Sequence, residues 1–151
     1  MISKILIATD GSETALKASR YAIDLAKQIG ASIIVLSVID NRSLTGYLTA
    51  PPEVTTVHIV EPVEDFLREA AKKDVAKVKK LCEKKGVLCR EVISTGHPSE
   101  EIIEEAERSY HSGFAWEEGA GRCIPWKCAY GVVHKETHIP VLIVRRGEKN
   151  R

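Results

Sequence analysis

The chain has 151 residues, with 22 Lys and Arg against 21 Asp and Glu, a formal net charge of +1. That length suits one domain with its own core, and so balanced a charge gives no bulk electrostatic hold on nucleic acid or acidic lipid. The 44% apolar and 28% charged content is that of a globular chain rather than a disordered one.

Met1-Ile2-Ser3-Lys4 leads directly into a short apolar run without a signal-peptide pattern, so the expected location is the cytoplasm. No run approaches the roughly 20 apolar residues that span a bilayer. Lys4 to Asp10 is too short for a helix and reads as a buried strand. Gly11 and Ser12 follow, and then Ala15, Ala18, Tyr21, Ala22, Leu25, Ala26 and Ile29 recur at helical spacing up to Gly30. That pattern predicts an amphipathic helix closed by a glycine cap. Ser32 to Asp40 is a second buried strand. Two such runs joined by one helix make a βαβ unit with a parallel pair.

Residues 41–61 break the pattern, with Thr45-Gly46-Tyr47 and Pro51-Pro52. They read as a long loop, with a short extended piece over Val57 to Val60. From Pro62 to Lys85 apolar residues return at helical spacing, with Pro62 suited to the helix start and Gly86 just past its end. Lys72, Lys73, Lys77, Lys79, Lys80, Lys84 and Lys85 lie on the outer face, which reads as solvated rather than as a nucleic-acid patch. Val87 to Thr95 is a third strand. Gly96-His97 turns into a helix with Pro98 at its first position, Glu100 and Glu101 at its positive end, and Ile102, Ile103 and Ala106 facing inward. Pro140 to Arg146 is a last buried strand, followed by a tail over 147–151.

The order predicts a doubly wound α/β domain over residues 1–146, built on an open parallel sheet. A ligand site in such a sheet lies at the carboxyl ends of the strands. Four cysteines, Cys82, Cys89, Cys123 and Cys128, form no Cys-x-x-Cys pair. A zinc site borrowing His111, His134 or His138 is a weak reading. Reduced thiols and no metal are expected.

The chain resembles the universal stress protein family. The resemblance rests on Ile5 to Ser12 at the first strand end and on Ser37-Val38-Ile39-Asp40 at the second. It also rests on Gly96-His97-Pro98 with Glu100-Glu101-Ile102-Ile103, and on Tyr130-Gly131-Val132-Val133 followed by Pro140 to Val144. Together these pieces cover roughly residues 1–108 and 129–146. The resemblance implies a small cytoplasmic stress-response module with a five-stranded, adenine-nucleotide-hydrolase-like sheet, often a homodimer. One branch of the family binds ATP, with Mg, and another does not. It implies that Ala8, Thr9 and Asp10 lie beside the ribose or adenine, and that Val38 and Ile39 meet the adenine, Val38 through backbone atoms. A carboxylate at a strand end suits ribose hydroxyls; for Asp10 the alternative is a helix N-cap.

The ATP-binding branch also carries G-x-x-G, nine residues, then G-S or G-T, whose amides cradle phosphates. Between about residues 113 and 128 this motif is absent. Gly113-Phe114-Ala115-Trp116 and Trp126-Lys127 stand there instead, and Ser109 to Phe114 makes a poor fourth strand. Gly119-Ala120-Gly121 fails as a dinucleotide loop because Ile124 replaces the third glycine.

Residues 109–128 hold four of the eight aromatics and both tryptophans. A compensated frameshift accounts for this. In the frame that joins the last two bases of each codon to the first of the next, TGG always becomes a glycine codon. Trp116 and Trp126 then become glycines separated by nine residues. Gly113 followed by Phe114 permits a glycine three places earlier, and Lys127 followed by Cys128 gives Ser or Asn. The competing reading is a divergent loop. Either way, Glu117 and Glu118 bring negative charge to where phosphates belong. The chain as written is therefore expected to bind ATP weakly or not at all, and to lack a proper fourth strand.

Three functions follow from these readings. The first is a stress-response nucleotide module with impaired ATP binding. The second is a homodimeric interaction protein joined through the last strand, Val141 to Val144. A slow ATPase ranks last, because His97 and His134 lie in no motif with a nucleophile or carboxylate. No catalytic residue is assigned.

Overall fold

The computed structural model describes residues 2–40, 42, 57–111, 121–123 and 141–142. In chain order the described elements are β1 (Lys4–Ala8), α1 (Glu13–Ile29), β2 (Ser32–Asp40), α2 (Val57–Lys85), β3 (Cys89–Gly96), α3 (Pro98–His111), β4 (Gly121–Cys123) and β5 (Val141–Leu142). The strands form one sheet in the order β3-β2-β1-β4-β5, and every pair is parallel.

β1 and β2 run as near-continuous apolar stretches because helices cover both faces of the sheet. On one face, Ile5, Ile7, Ile33 and Val35 meet Ala18, Ala22, Ile23 and Ala26 of α1, and Val75, Val78 and Cys82 of α2. On the other, Leu6, Ala8, Ile34 and Leu36 meet Ile102 and Ala106 of α3. The alternation of odd and even strand residues between the two clusters is the two-residue period of a strand. α1 begins at an N-cap, Ser12, whose Oγ accepts the Ala15 N–H at 3.1 Å, and ends at Gly30 in the left-handed conformation (φ +72°).

Two expectations are corrected here. Val57 to Val60 is helical rather than extended, and Pro62 is not the first residue of α2. Pro62 is the sixth residue of α2, where its missing N–H forfeits a single backbone hydrogen bond and the helix runs through it. The expected loss of the fourth strand is also corrected. Gly121–Cys123 pairs with Ile5–Ile7 on one side, and its Arg122 and Cys123 pair with Val141 and Leu142 on the other. This pairing is made by backbone groups, so it does not need the apolar side chains sought in Ser109 to Phe114. Ser109 to His111 instead extend α3. The remainder of the 41–61 loop, most of the 109–128 segment and the 147–151 tail lie outside the described residues.

The lysine-rich face of α2 is ion-paired. Lys72 bonds Glu69, Lys77 bonds Asp74, Lys79 reaches Glu91 on β3 and Lys85 reaches Asp24 on α1, at 2.7 to 3.0 Å. Among the described residues, no helix is long and apolar enough to cross a membrane.

Candidate functional site

The strand order places a topological switch between β1 and β4. From β1 the chain winds outward through β2 and β3, then returns to β1's other side. Open α/β sheets bind ligands at the carboxyl ends of the strands beside such a switch. Ala8, Thr9 and Asp10 leave β1 at that point.

Each residue there has a defined local role. Ala8 is buried against the α3 face. Thr9 N–H donates to the Leu36 carbonyl at 2.8 Å, and Thr9 Oγ1 accepts the Gly11 N–H at 3.2 Å. Asp10 is exposed, and its Oδ1 accepts the Ser12 N–H at 3.0 Å. Asp10 therefore shapes the turn before α1, while the cap itself is Ser12. The N-cap alternative for Asp10 is overturned: Ser12 stands directly before the first helical residue, and Asp10 is two residues too early.

The β1–β2 register ends at the pair Ala8–Leu36. Along β2, Ser32 N–H reaches Ser3 on the β1 side, whereas Ile33 N–H reaches Leu88 on the β3 side. Backbone direction alternates along a strand, so even-numbered residues of β2 face β1. Val38 lies two residues past Leu36, and β1 has no residue left to pair with it. Its amide and carbonyl thus border the space above the end of β1. Ile39 differs: its side chain is buried, and its backbone faces Thr95 in β3. Ala8, Thr9, Asp10 and Val38 are brought to one edge, and Ile39 presents no backbone group to it.

Three further groups stand at this edge. Arg42 closes on Asp40, with Nη2 to Oδ2 at 2.7 Å and Nε to Oδ1 at 3.1 Å, and the Arg42 N–H donates to Asp40 Oδ1 at 2.9 Å. The Arg42 guanidinium holds the Asp40 carboxyl below the usual carboxylate range, against a smaller opposing effect of burial. At the end of β3, Ser99 Oγ and His97 Nδ1 lie 2.9 Å apart. Asp74 of α2 reaches the β1–α1 turn and rests against Gly11. An Asp-x-Arg at a strand end was a readable signal for the first; the approach of Asp74 is tertiary and had none.

Among the described residues, no group of three His, Cys, Asp or Glu side chains could hold a metal ion. Of the four cysteines, Cys82 and Cys89 are described as free thiols. The side chains of Cys123, Cys128, His111, His134 and His138 lie outside the described residues.

The universal stress protein family profile matches residues 1–110. The chain belongs to the universal stress protein family. It is 31% identical to universal stress protein MJ0531 of Methanocaldococcus jannaschii, over 99% of this chain and 85% of that protein. Its likeness to YxiE of Bacillus subtilis is 29% identity over 71% of this chain and 72% of YxiE. The solved structure of MJ0577 superposes with a TM-score of 0.76 at 25% identity, covering 98% of this chain and 99% of that one. The family is one of stress-response proteins, whose members are in general not enzymes. Two more distant structures of the same fold, each with a TM-score of 0.62, are universal stress proteins in complex with cAMP and with dAMP.

Proposed function

We propose that this universal stress protein recognises the nucleoside half of an adenine nucleotide, and that its grip on the phosphates is lost in the chain as written. The observation that carries the reading is the end of the β1–β2 register at Ala8–Leu36, which leaves the Val38 amide and carbonyl without a β1 partner among the described residues, where an adenine edge could meet them. Asp10, exposed beside that space, offers carboxylate oxygen to ribose hydroxyls. Thr9 and Ala8 fix the strand end from which Asp10 projects. The cAMP and dAMP complexes of distant relatives support adenine as the base.

The phosphate side rests on sequence. The family match ends at residue 110, where the anomalous 109–128 segment begins, and no G-x-x-G-x9-G-S follows it. Bulky Trp116 and Trp126 stand where glycines let backbone approach a ligand. Glu117 and Glu118 repel a triphosphate. Mg²⁺ would enter with the phosphates, supplying charge neutralisation, and is lost with them.

The second reading is a homodimeric interaction protein of the same fold. It is favoured by one observation: among the described residues β5 is an edge strand of the sheet, the position at which a strand can pair with a second copy. On either reading we propose a cytoplasmic protein without nucleic-acid or membrane partners.

The test is a titration of Mg-ATP into the chain and into its Trp116→Gly/Trp126→Gly/Lys127→Ser variant. The variant should bind at least about tenfold more tightly, near 1.4 kcal/mol. Adding Asp10→Ala should remove that gain. Equal, tight binding by both would refute the lost phosphate grip. Saturable dimerisation without nucleotide binding by either would favour the second reading.

A further inference from the structure

At the amino edge of the sheet, opposite the nucleotide edge, two thiols face each other. Cys82 lies near the end of α2 and is completely buried; Cys89 opens β3 and is half-buried. Six residues separate them. Gly86, at φ +71°, turns the chain back, and the turn is held by Val87 N–H donating to the Cys82 carbonyl at 3.0 Å. Both side chains pack on the same cluster as Val78, Val87 and Ile33, and each thiol is the strongest influence on the other's ionisation. Cys89 is also reachable from outside. It lines a cavity of about 410 Å³ together with Lys4, Ser32, Leu88 and Arg90.

We propose that Cys82 and Cys89 form a reversible disulfide, with Cys89 oxidised first by a hydroperoxide and Cys82 the resolving thiol. The Cys89 thiolate attacks the terminal peroxide oxygen, the O–O bond breaks, and the departing oxygen takes up a proton and leaves as water from hydrogen peroxide or as an alcohol from an organic hydroperoxide. Cys89 is then a sulfenic acid. The Cys82 sulfur attacks it, the S–S bond forms, and the sulfenic oxygen leaves as water with the Cys82 proton. In sum, two thiols lose two electrons and two protons to one hydroperoxide. A dithiol reductant reverses the bond by exchange.

The order of events follows from the surroundings. The Cys82 thiol holds the Cys89 thiol below its ordinary range, helped by the Lys79 ammonium and opposed by burial, Glu91 and Glu83. Cys89 in turn, with burial, pushes Cys82 far up. The thiolate is the reactive form, so the accessible member of the pair is also the one more readily ionised. The bond would fasten the end of α2 to the start of β3.

The experiment is peptide mapping of the reduced full-length chain after treatment with hydrogen peroxide at neutral pH. The expected product is a peptide pair joining Cys82 to Cys89, lighter by two hydrogens and separated again by dithiothreitol. In Cys82→Ala, dimedone should trap Cys89 as its sulfenic acid. Oxidation confined to Cys123 or Cys128, or a Cys82→Ala chain without a dimedone adduct at Cys89, would overturn the proposal. A readout independent of any variant's folding is alkylation of the native chain by iodoacetamide. Cys89 should react on the order of tenfold faster than Cys82, and equal rates would overturn it.

Discussion

The carboxyl group of Asp74 occupies the space into which a side chain at Gly11 would project. Gly11 also has φ +73°, a conformation that favours glycine. Two independent constraints thus act on one residue of the β1–α1 turn. Gly11→Ala is expected to destabilise the fold by about 2 kcal/mol, read from the urea midpoint. Adding Asp74→Ala should recover the steric part and leave the backbone part. Full recovery would show that the left-handed conformation costs nothing.

Ser12→Ala and Asp10→Ala should separate cap from ligand. Ser12 caps α1, so its loss should lower stability by about 1 kcal/mol without a direct effect on the nucleoside. Asp10→Ala should weaken adenosine binding while shifting the melt by less. Equal effects of both on binding would mean that Asp10 acts only through the turn.

Glu105 of α3 is buried, with side-chain exposure of 3%. Its carboxylate accepts from Arg90 Nη2 at 2.6 Å, Arg108 Nη1 at 2.9 Å and Ser109 Oγ at 3.1 Å. This fastens α3 to β3. Glu105→Ala should cost about 2 kcal/mol, measured by thermal unfolding. Arg90 is 59% exposed, so Arg90→Ala should cost less on the Arg90 side, since the guanidinium is already hydrated.

Acid sensitivity follows from Asp40. Its folded pKa lies below the ordinary carboxylate value because Arg42 favours the charged form. Stability from the pair is therefore complete above about pH 5 and is lost as pH falls through the depressed folded value. The pair is largely exposed on the Arg42 side, so the contribution should stay within about 1 kcal/mol. Arg42→Ala should flatten the stability profile below about pH 4 and leave it parallel to wild type near neutrality. Parallel profiles down to acid unfolding would contradict the assignment.

The sheet and α1 were legible because local signals agreed. The apolar run of β1, the helical spacing from Ala15 to Ile29 and the Gly30 cap all fit one βαβ unit. The start of α2 was not legible, since Pro62 reads as a first helical residue although the helix runs through it as its sixth. Asp10 and Ser12 both have cap chemistry, and backbone geometry chose Ser12. The open backbone of Val38 depends on where β1 stops, which a run continuing to Asp10 concealed. The contacts of Asp74 with Gly11 and of Cys82 with Cys89 arise where α2 packs on neighbouring elements, and no spacing in the chain announces them.

The most direct test of the account is calorimetric titration of the full chain with AMP and with Mg-ATP under the same conditions. Recognition of the nucleoside half alone predicts that the two bind equally weakly, with Kd no tighter than about 1 mM. ATP binding at micromolar Kd, far tighter than AMP, would show that the 109–128 segment holds phosphates after all and would contradict the account.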